Sequence, residues 1–177
     1  MVDLERKVVE QTCIAYSGVP KGTKAGVEWF ETRFSTKKML DYDRMKGGTA
    51  DAIEVAAPWD SIAAVWSNMR RELQPYCTDV DCHFSHVYHS GASVYVIFHA
   101  KTDEDDFAGA DRYQKCLEVA VETSLKYGGN VSHHHGTGKA KCKYMPMEHG
   151  QAGHDVMKKI KDALDPKGIL NKGVLGV

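Results

Sequence analysis

Apolar positions along this chain fall into two spacings, and each spacing predicts a kind of element. Leu4, Val8, Val9 and Ile14 recur at helical intervals, so a helix is expected over 3–16, ending at Gly18. Beyond the loop SGVPKGTK, a short helix over 25–33 should carry Trp29 and Phe30, and another is expected over 37–46, before Gly47 and Gly48. A strand over 52–56 is stopped by Pro58, which suits the first turn of a helix running to about Leu73. That helix would present Ile62, Val65, Trp66, Met69 and Leu73 on one face. Strands over 82–88 and 93–100 follow, joined by the turn His89-Ser90-Gly91-Ala92. Alternation puts His83, Ser85 and Val87 on one face of the first and Phe84, His86 and Tyr88 on the other. In the second, Tyr95, Ile97 and His99 oppose Val94, Val96 and Phe98. Helices over 110–127 and 153–164 and the tail DPKGILNKGVLGV complete the chain. The order α-β-α-β-β-α with an antiparallel hairpin predicts an α+β fold, a small antiparallel sheet with helices packed on one face.

Composition narrows the field of partners. A length of 177 residues suits a single domain. With 23 Lys and Arg against 24 Asp and Glu, the chain has no net field to draw nucleic acid or an anionic membrane. No apolar run approaches the ~18 residues of a membrane span, and MVDLERKVVEQ lacks the apolar core of a leader. The five cysteines, Cys13, Cys77, Cys82, Cys116 and Cys142, are odd in number and scattered, without a CxxC pair. Free thiols in a reducing cytoplasm are therefore expected.

The densest chemistry lies at 132–139, SHHHGTGK, just after Gly128 and Gly129 end a helical stretch. Three adjacent histidines, His133, His134 and His135, cannot all point one way, so at least one faces whatever the glycines admit. Gly136 and Gly138 permit positive φ and close approach of a ligand to the main chain. An imidazole titrates near neutrality and can donate, accept or bind metal.

This segment together with LDPKGILNKG at 164–173, WFETRF at 29–34, IEVAAPWD at 53–60 and HSGASVYVIF at 89–98 resembles a known family. It is similar to the C-terminal, substrate-binding cap of FAD-linked oxidases of the vanillyl-alcohol oxidase type, above all to the alkyldihydroxyacetone phosphate synthases and their bacterial relatives. The resemblance covers essentially the whole chain. It implies a ferredoxin-like cap over an isoalloxazine ring, with FAD held by an N-terminal domain that this chain does not contain. Residues 1–177 are thus expected to be a single cap domain that begins inside the cap, partnered by an FAD-binding domain or subunit and a small-molecule substrate. FAD is not expected on the isolated chain. The resemblance assigns Tyr95 to proton transfer and His133, His134 and His135 to the catalytic pocket. It sets His134, His135 and Asn171 toward the cofactor, and Lys139 and Arg33 toward the substrate. A phenol in such a pocket can act as acid or base where neighbouring cations lower its pKa.

Two departures qualify the resemblance. Relatives carry an arginine seven residues after the arginine of the RF pair, whereas Leu40 stands here, beside a retained Asp41. A guanidinium has no neutral substitute for binding phosphate or carboxylate, although Lys37 or Lys38 could compensate. The zinc-using dehydrogenases of the family carry a His-x-Gly-Asp-Gly-Asn turn; His89 to Val94 lack its acidic and amide residues, and the dehydrogenase glutamate is here His134. Imidazole suits zinc, nickel or copper, but the spacing of His89 and the histidine run does not require a metal, and none is expected. The competing class is a stand-alone ferredoxin-like module that binds a small ligand, a metal or a protein. An apolar surface meant for a missing domain would also favour homo-oligomers.

Overall fold

A computed structural model describes residues 2–35, 48–101 and 106–177. The expected helix over 37–46, and with it Lys37, Lys38, Leu40 and Asp41, lies outside the described residues. The chain divides into two units, Met1–Leu40 and Asp41–Val177. In the first, α1 (Val2–Ala15) and α2 (Lys24–Thr32) occupy the positions their periodicity predicts. Ser17, at φ 67°, turns α1 off, and the Gly18 amide closes the end on the Cys13 carbonyl at 2.7 Å. Neither helix has a buried residue, so Leu4, Val8, Val9, Trp29 and Phe30 are all exposed.

The second unit is built on β1 (Gly48–Pro58), α3 (Ile62–Leu73), β2 (Cys77–Val87), β3 (Gly91–Lys101), α4 (Asp106–Lys126) and α5 (Met145–Leu164). The strands pair antiparallel in the order β1-β3-β2, so β3, which carries Tyr95, is central. Alternation along it is clean: Val94, Val96 and Phe98 are fully buried, whereas Tyr95, Ile97 and His99 face the other way. Ile53 and Val55 of β1 extend the same apolar face. Val65, Met69 and Leu73 of α3 and Cys116, Leu117 and Ala120 of α4 cover it. Both helices therefore lie on one side, as the pattern predicts, and leave the other side of the sheet free of helices α3 and α4. Cys77 and Cys116 meet in this core without a disulfide between them, Sγ to Sγ 3.6 Å. Shortening Ile53, which is 2% exposed, to valine is expected to cost about 1 kcal/mol in a urea melt.

Three expectations need correcting. Pro58 ends β1, opposite Gly91, and does not begin α3, which starts at Ile62. β1 is an edge strand, where the missing proline N–H costs no ladder bond. The helix expected from 153 begins at Met145, with Pro146 in its first turn, and passes a kink at Gly150 (φ 70°, ψ 160°). The strict alternation proposed for β2 fails at its end. The register slips between Ser85 and Val87, and His86 adopts φ 47°, a β-bulge that turns its imidazole to the Tyr95 side. Close backbone approach explains one glycine at the hairpin: a Cβ on Gly91 would stand 2.1 Å from the Ala57 carbonyl oxygen.

Candidate functional site: an imidazole and phenol cluster on the open sheet face

The loop after α4 reaches the sheet because it runs beside β1 and bonds to it. Gly129 passes so close that a Cβ would lie 2.4 Å from Ser124 Oγ and 3.2 Å from the Ala56 carbonyl oxygen. Asn130 then pairs with Ala56 twice: its amide donates to the Ala56 carbonyl at 3.0 Å, and its Oδ1 accepts the Ala56 amide at 2.6 Å. Val131 is buried against Val121 and Tyr144, and its amide donates to Glu148 at 2.7 Å. From there the chain folds around a single side chain.

That side chain is Glu54, fully buried and paired in register with Tyr95. Its carboxylate accepts the backbone amides of His133, His134 (2.8 Å) and His135 (2.9 Å), together with the Ser132 hydroxyl. Lys141, also buried, brings its ammonium to 3.7 Å and donates to Ser132 Oγ at 3.2 Å. Burial by itself would raise the Glu54 pKa, but the Ser132 hydroxyl and the three amides outweigh it and hold the carboxyl below its ordinary value. Burial works against Lys141 as well and lowers its pKa, with Glu54 opposing that shift. A buried carboxylate with four donors and a cation is a satisfied charge. It is also what holds three successive histidines in one conformation.

The rings then gather around Tyr95. His83 stacks on Tyr95 with centroids 4.6 Å apart and planes at 25°, and His134 lies on another side at 5.8 Å and 24°. His135 meets the phenol edge-on at 5.4 Å. His133 Nε2 is 3.1 Å from the Tyr88 hydroxyl, and His86 sits 4.6 Å from His134. Beside His133 and Tyr88, a cavity of about 310 Å³ opens against Gly91, Gly128 and Gly129. The His134 pKa is pushed down, first by burial and then by its imidazole neighbours, against the pull of Glu54. The Tyr95 pKa is shifted upward, not downward. Burial raises it, and the carboxylates of Asp51 and Glu54 raise it further.

Sequence reasoning thus named Tyr95 and His133 to His135, which the fold does bring together. It missed Glu54, Lys141, His83 and His86. A charged residue in the apolar run Ile53-Glu54-Val55 was the available signal for Glu54, since buried carboxylates require partners. Lys139 is exposed, and the lysine that reaches the carboxylate is Lys141, two residues on. Asn171, at φ 45°, lines an apolar cavity of about 420 Å³ between α5 and the tail, with Ile160, Leu164 and Leu170. That tail returns toward the glycine loop, where the Leu175 amide donates to the Gly138 carbonyl at 3.2 Å. In the first unit the Arg33 guanidinium lies over Phe30 at 3.8 Å and Phe34 at 4.5 Å, and donates to the Phe30 carbonyl. Gly136 and Gly138 do take positive φ, 80° and 53°.

The open sheet face thus carries a phenol ringed by imidazoles, fixed by a glycine-bounded loop. The chain belongs to the family of FAD linked oxidases, C-terminal domain, whose pattern matches residues 7–175. Among its relatives is the alkyldihydroxyacetonephosphate synthase of Trypanosoma brucei brucei, 28% identical over 91% of this chain and 27% of that protein. The Caenorhabditis elegans enzyme of the same name is 27% identical over 95% of this chain and 29% of its own length. An uncharacterized FAD-linked oxidoreductase, YgcU of Escherichia coli (strain K12), is 27% identical over 73% of this chain and 28% of its own length. A solved alkyldihydroxyacetonephosphate synthase structure shares the fold, with a TM-score of 0.57 at 19% identity over 97% of this chain. The chain spans just over a quarter of the length of the synthases it matches. Among the described residues no helix is long and apolar enough to cross a membrane.

Proposed function

We propose that this chain is the substrate-side cap of a flavin-dependent oxidoreductase or alkyl-glycerone-phosphate-synthase-like enzyme, completed by an FAD-binding domain or subunit. The observation that carries this reading is the row of nearly parallel rings, His83, Tyr95 and His134, on the sheet face opposite the apolar core. Such a row fits contact with a flat heteroaromatic ring. FAD, when bound, would supply electron transfer. The residues of this chain position the substrate and handle its proton. Tyr95, its pKa raised, is a neutral phenol near pH 7 and therefore a proton donor first; its conjugate base accepts the proton back. His134, its pKa lowered, is a neutral imidazole that can accept a hydrogen bond beside it. Glu54 and Lys141 act through the loop, holding the rings in place before any ligand arrives.

In this reading His134 and His135 touch the cofactor ring, and the cavity beside His133 takes the substrate. Arg33 remains the candidate for binding an anionic group, and Asn171 and Lys139 remain candidates at the edges. The exposed apolar residues of α1 and α2 fit either a flavin-domain interface or self-association, and the chain would work in the cytoplasm.

The test is spectroscopic. Incubated alone with excess FAD and desalted, the chain is expected to be colourless, because the cap offers contacts to the ring only. Joined to an FAD-binding domain, it should retain flavin stoichiometrically, and substrate should bleach the flavin band. A retained flavin spectrum on the isolated chain would overturn the division of labour proposed here.

A further inference from the structure

The bulge at His86 creates a site that the spacing of residues along the chain does not reveal. We propose that His86, His133 and His134 form a binding site for one divalent transition-metal ion of the zinc class. One ring nitrogen from each of the three lies within 4.8 Å of the other two. His133 Nδ1 and His134 Nδ1 are 3.0 Å apart, a separation that either a shared proton or a small cation between them satisfies. Two imidazoles bound to zinc at about 2.0–2.1 Å in tetrahedral geometry place their nitrogens roughly 3.4 Å apart, so small ring rotations suffice.

Three features favour a built site over a chance meeting of histidines. First, His86 arrives by a backbone that a non-glycine residue seldom adopts, φ 47°, at the register slip between Ser85 and Val87. Without the slip, alternation would aim it at the opposite face of the sheet. An unfavourable backbone that re-aims one side chain is a common signature of a functional position. Second, two of the rings have a polar contact that can fix their orientation and leave the other nitrogen for metal. His133 Nε2 meets the Tyr88 hydroxyl at 3.1 Å and leaves Nδ1, and His86 Nδ1 meets Ser85 Oγ at 3.2 Å and leaves Nε2. Outer partners of this kind orient metal-bound imidazoles and set which nitrogen binds. Third, Glu54 fixes the backbone of His133 and His134 through their amides, so two of the three ligands are held before metal arrives.

An all-imidazole set suits zinc, nickel or copper better than magnesium or calcium, which take oxygen ligands. Three protein ligands leave a fourth position for water or a ligand oxygen. The set differs from the His-x-Gly-Asp-Gly-Asn turn considered above, because His89 is not among the three; the bulged residue three positions earlier takes part instead. The site uses only residues of this chain and does not rest on the flavin reading, so it can be tested without FAD.

The experiment is a titration of the full chain, stripped with EDTA, with Co²⁺ followed by absorbance and with Zn²⁺ followed by calorimetry. One ion per chain is expected, with the d–d bands of a low-coordinate cobalt site. His86→Asn removes the imidazole while keeping a residue that tolerates positive φ. It should weaken Zn²⁺ binding by more than roughly 100-fold, beyond the 10- to 100-fold expected for losing an outer partner such as the Tyr88 hydroxyl. His149→Ala, at an exposed histidine on α5, should leave binding unchanged, and circular dichroism of each variant checks the fold. Equal affinity of wild type and His86→Asn would overturn the proposal, showing that the run 133–135 chelates by itself. So would a stoichiometry near zero.

Discussion

Replacing Tyr95 by phenylalanine in the complete flavoenzyme is expected to lower turnover by about 100- to 10,000-fold, the range in which a positioned proton donor contributes. The ring would keep its place, since its packing is with aromatic neighbours: His83 at 4.6 Å, His135 at 5.4 Å and His134 at 5.8 Å. KM should therefore change little while kcat falls. The direction of the Tyr95 shift adds a second readout. Burial and the carboxylates of Asp51 and Glu54 raise the phenol pKa, so the protonated form persists above the ordinary tyrosine range. If the phenol acts as donor, the alkaline limb of the pH profile should lie above the ordinary tyrosine value of 10.0 and vanish in the phenylalanine variant. Turnover within about threefold of wild type would remove Tyr95 from the chemistry, because a general acid contributes at least ~100-fold.

Glu54→Gln is expected to destabilise the chain by about 3 kcal/mol in urea, and to loosen the histidine loop before the sheet melts. The amide side chain offers no charge to the three backbone donors and leaves the Lys141 ammonium buried without its counter-ion. The pH dependence follows from the same contacts. A carboxyl held below its ordinary value of 4.5 contributes stability that is fully present above that value and is lost as pH falls through the lower folded-state value. Wild type should accordingly lose stability on acidification below about pH 4.5 more steeply than Glu54→Gln, which has no group to protonate there. Hydrogen exchange at the amides of His133, His134 and His135 gives the local readout: all three should speed up together in the variant. A loss under about 1 kcal/mol, with protection unchanged, would mean that the loop is held by Asn130 and Val131 and not by the carboxylate.

Periodicity carried much of the fold because it reports a local property. α1, α3 and β3 each repeat their apolar residues at the period of their element, and each lies within a few residues of its expected place. Where the pattern misled, a neighbour distant in the chain had changed the local preference. Pro58 suits a helix start as well as a strand end; pairing with Gly91 at the sheet edge decided for the strand. The helix expected from Gly153 extends back to Met145, with Gly150 absorbing a kink on the way. The acidic segment Cys77 to Asp81 gives no strong strand signal, and it became part of β2 because edge pairing with β3 places its polar residues outward.

The sequence by itself determined the α+β class, the apolar face of β3, and the presence of a histidine and glycine segment with a tyrosine strand before it. These rest on side-chain period and on backbone permissiveness, both of which are local. Only the tertiary structure decided that Glu54 would gather the amides of three successive histidines, that Lys141 would balance it, and that a bulge would bring His86 to the Tyr95 side. A carboxylate can be buried only where donors converge on it, and those donors come from a loop about eighty positions away. Strand register and loop path settle such meetings, and neither is written in any single stretch of the chain.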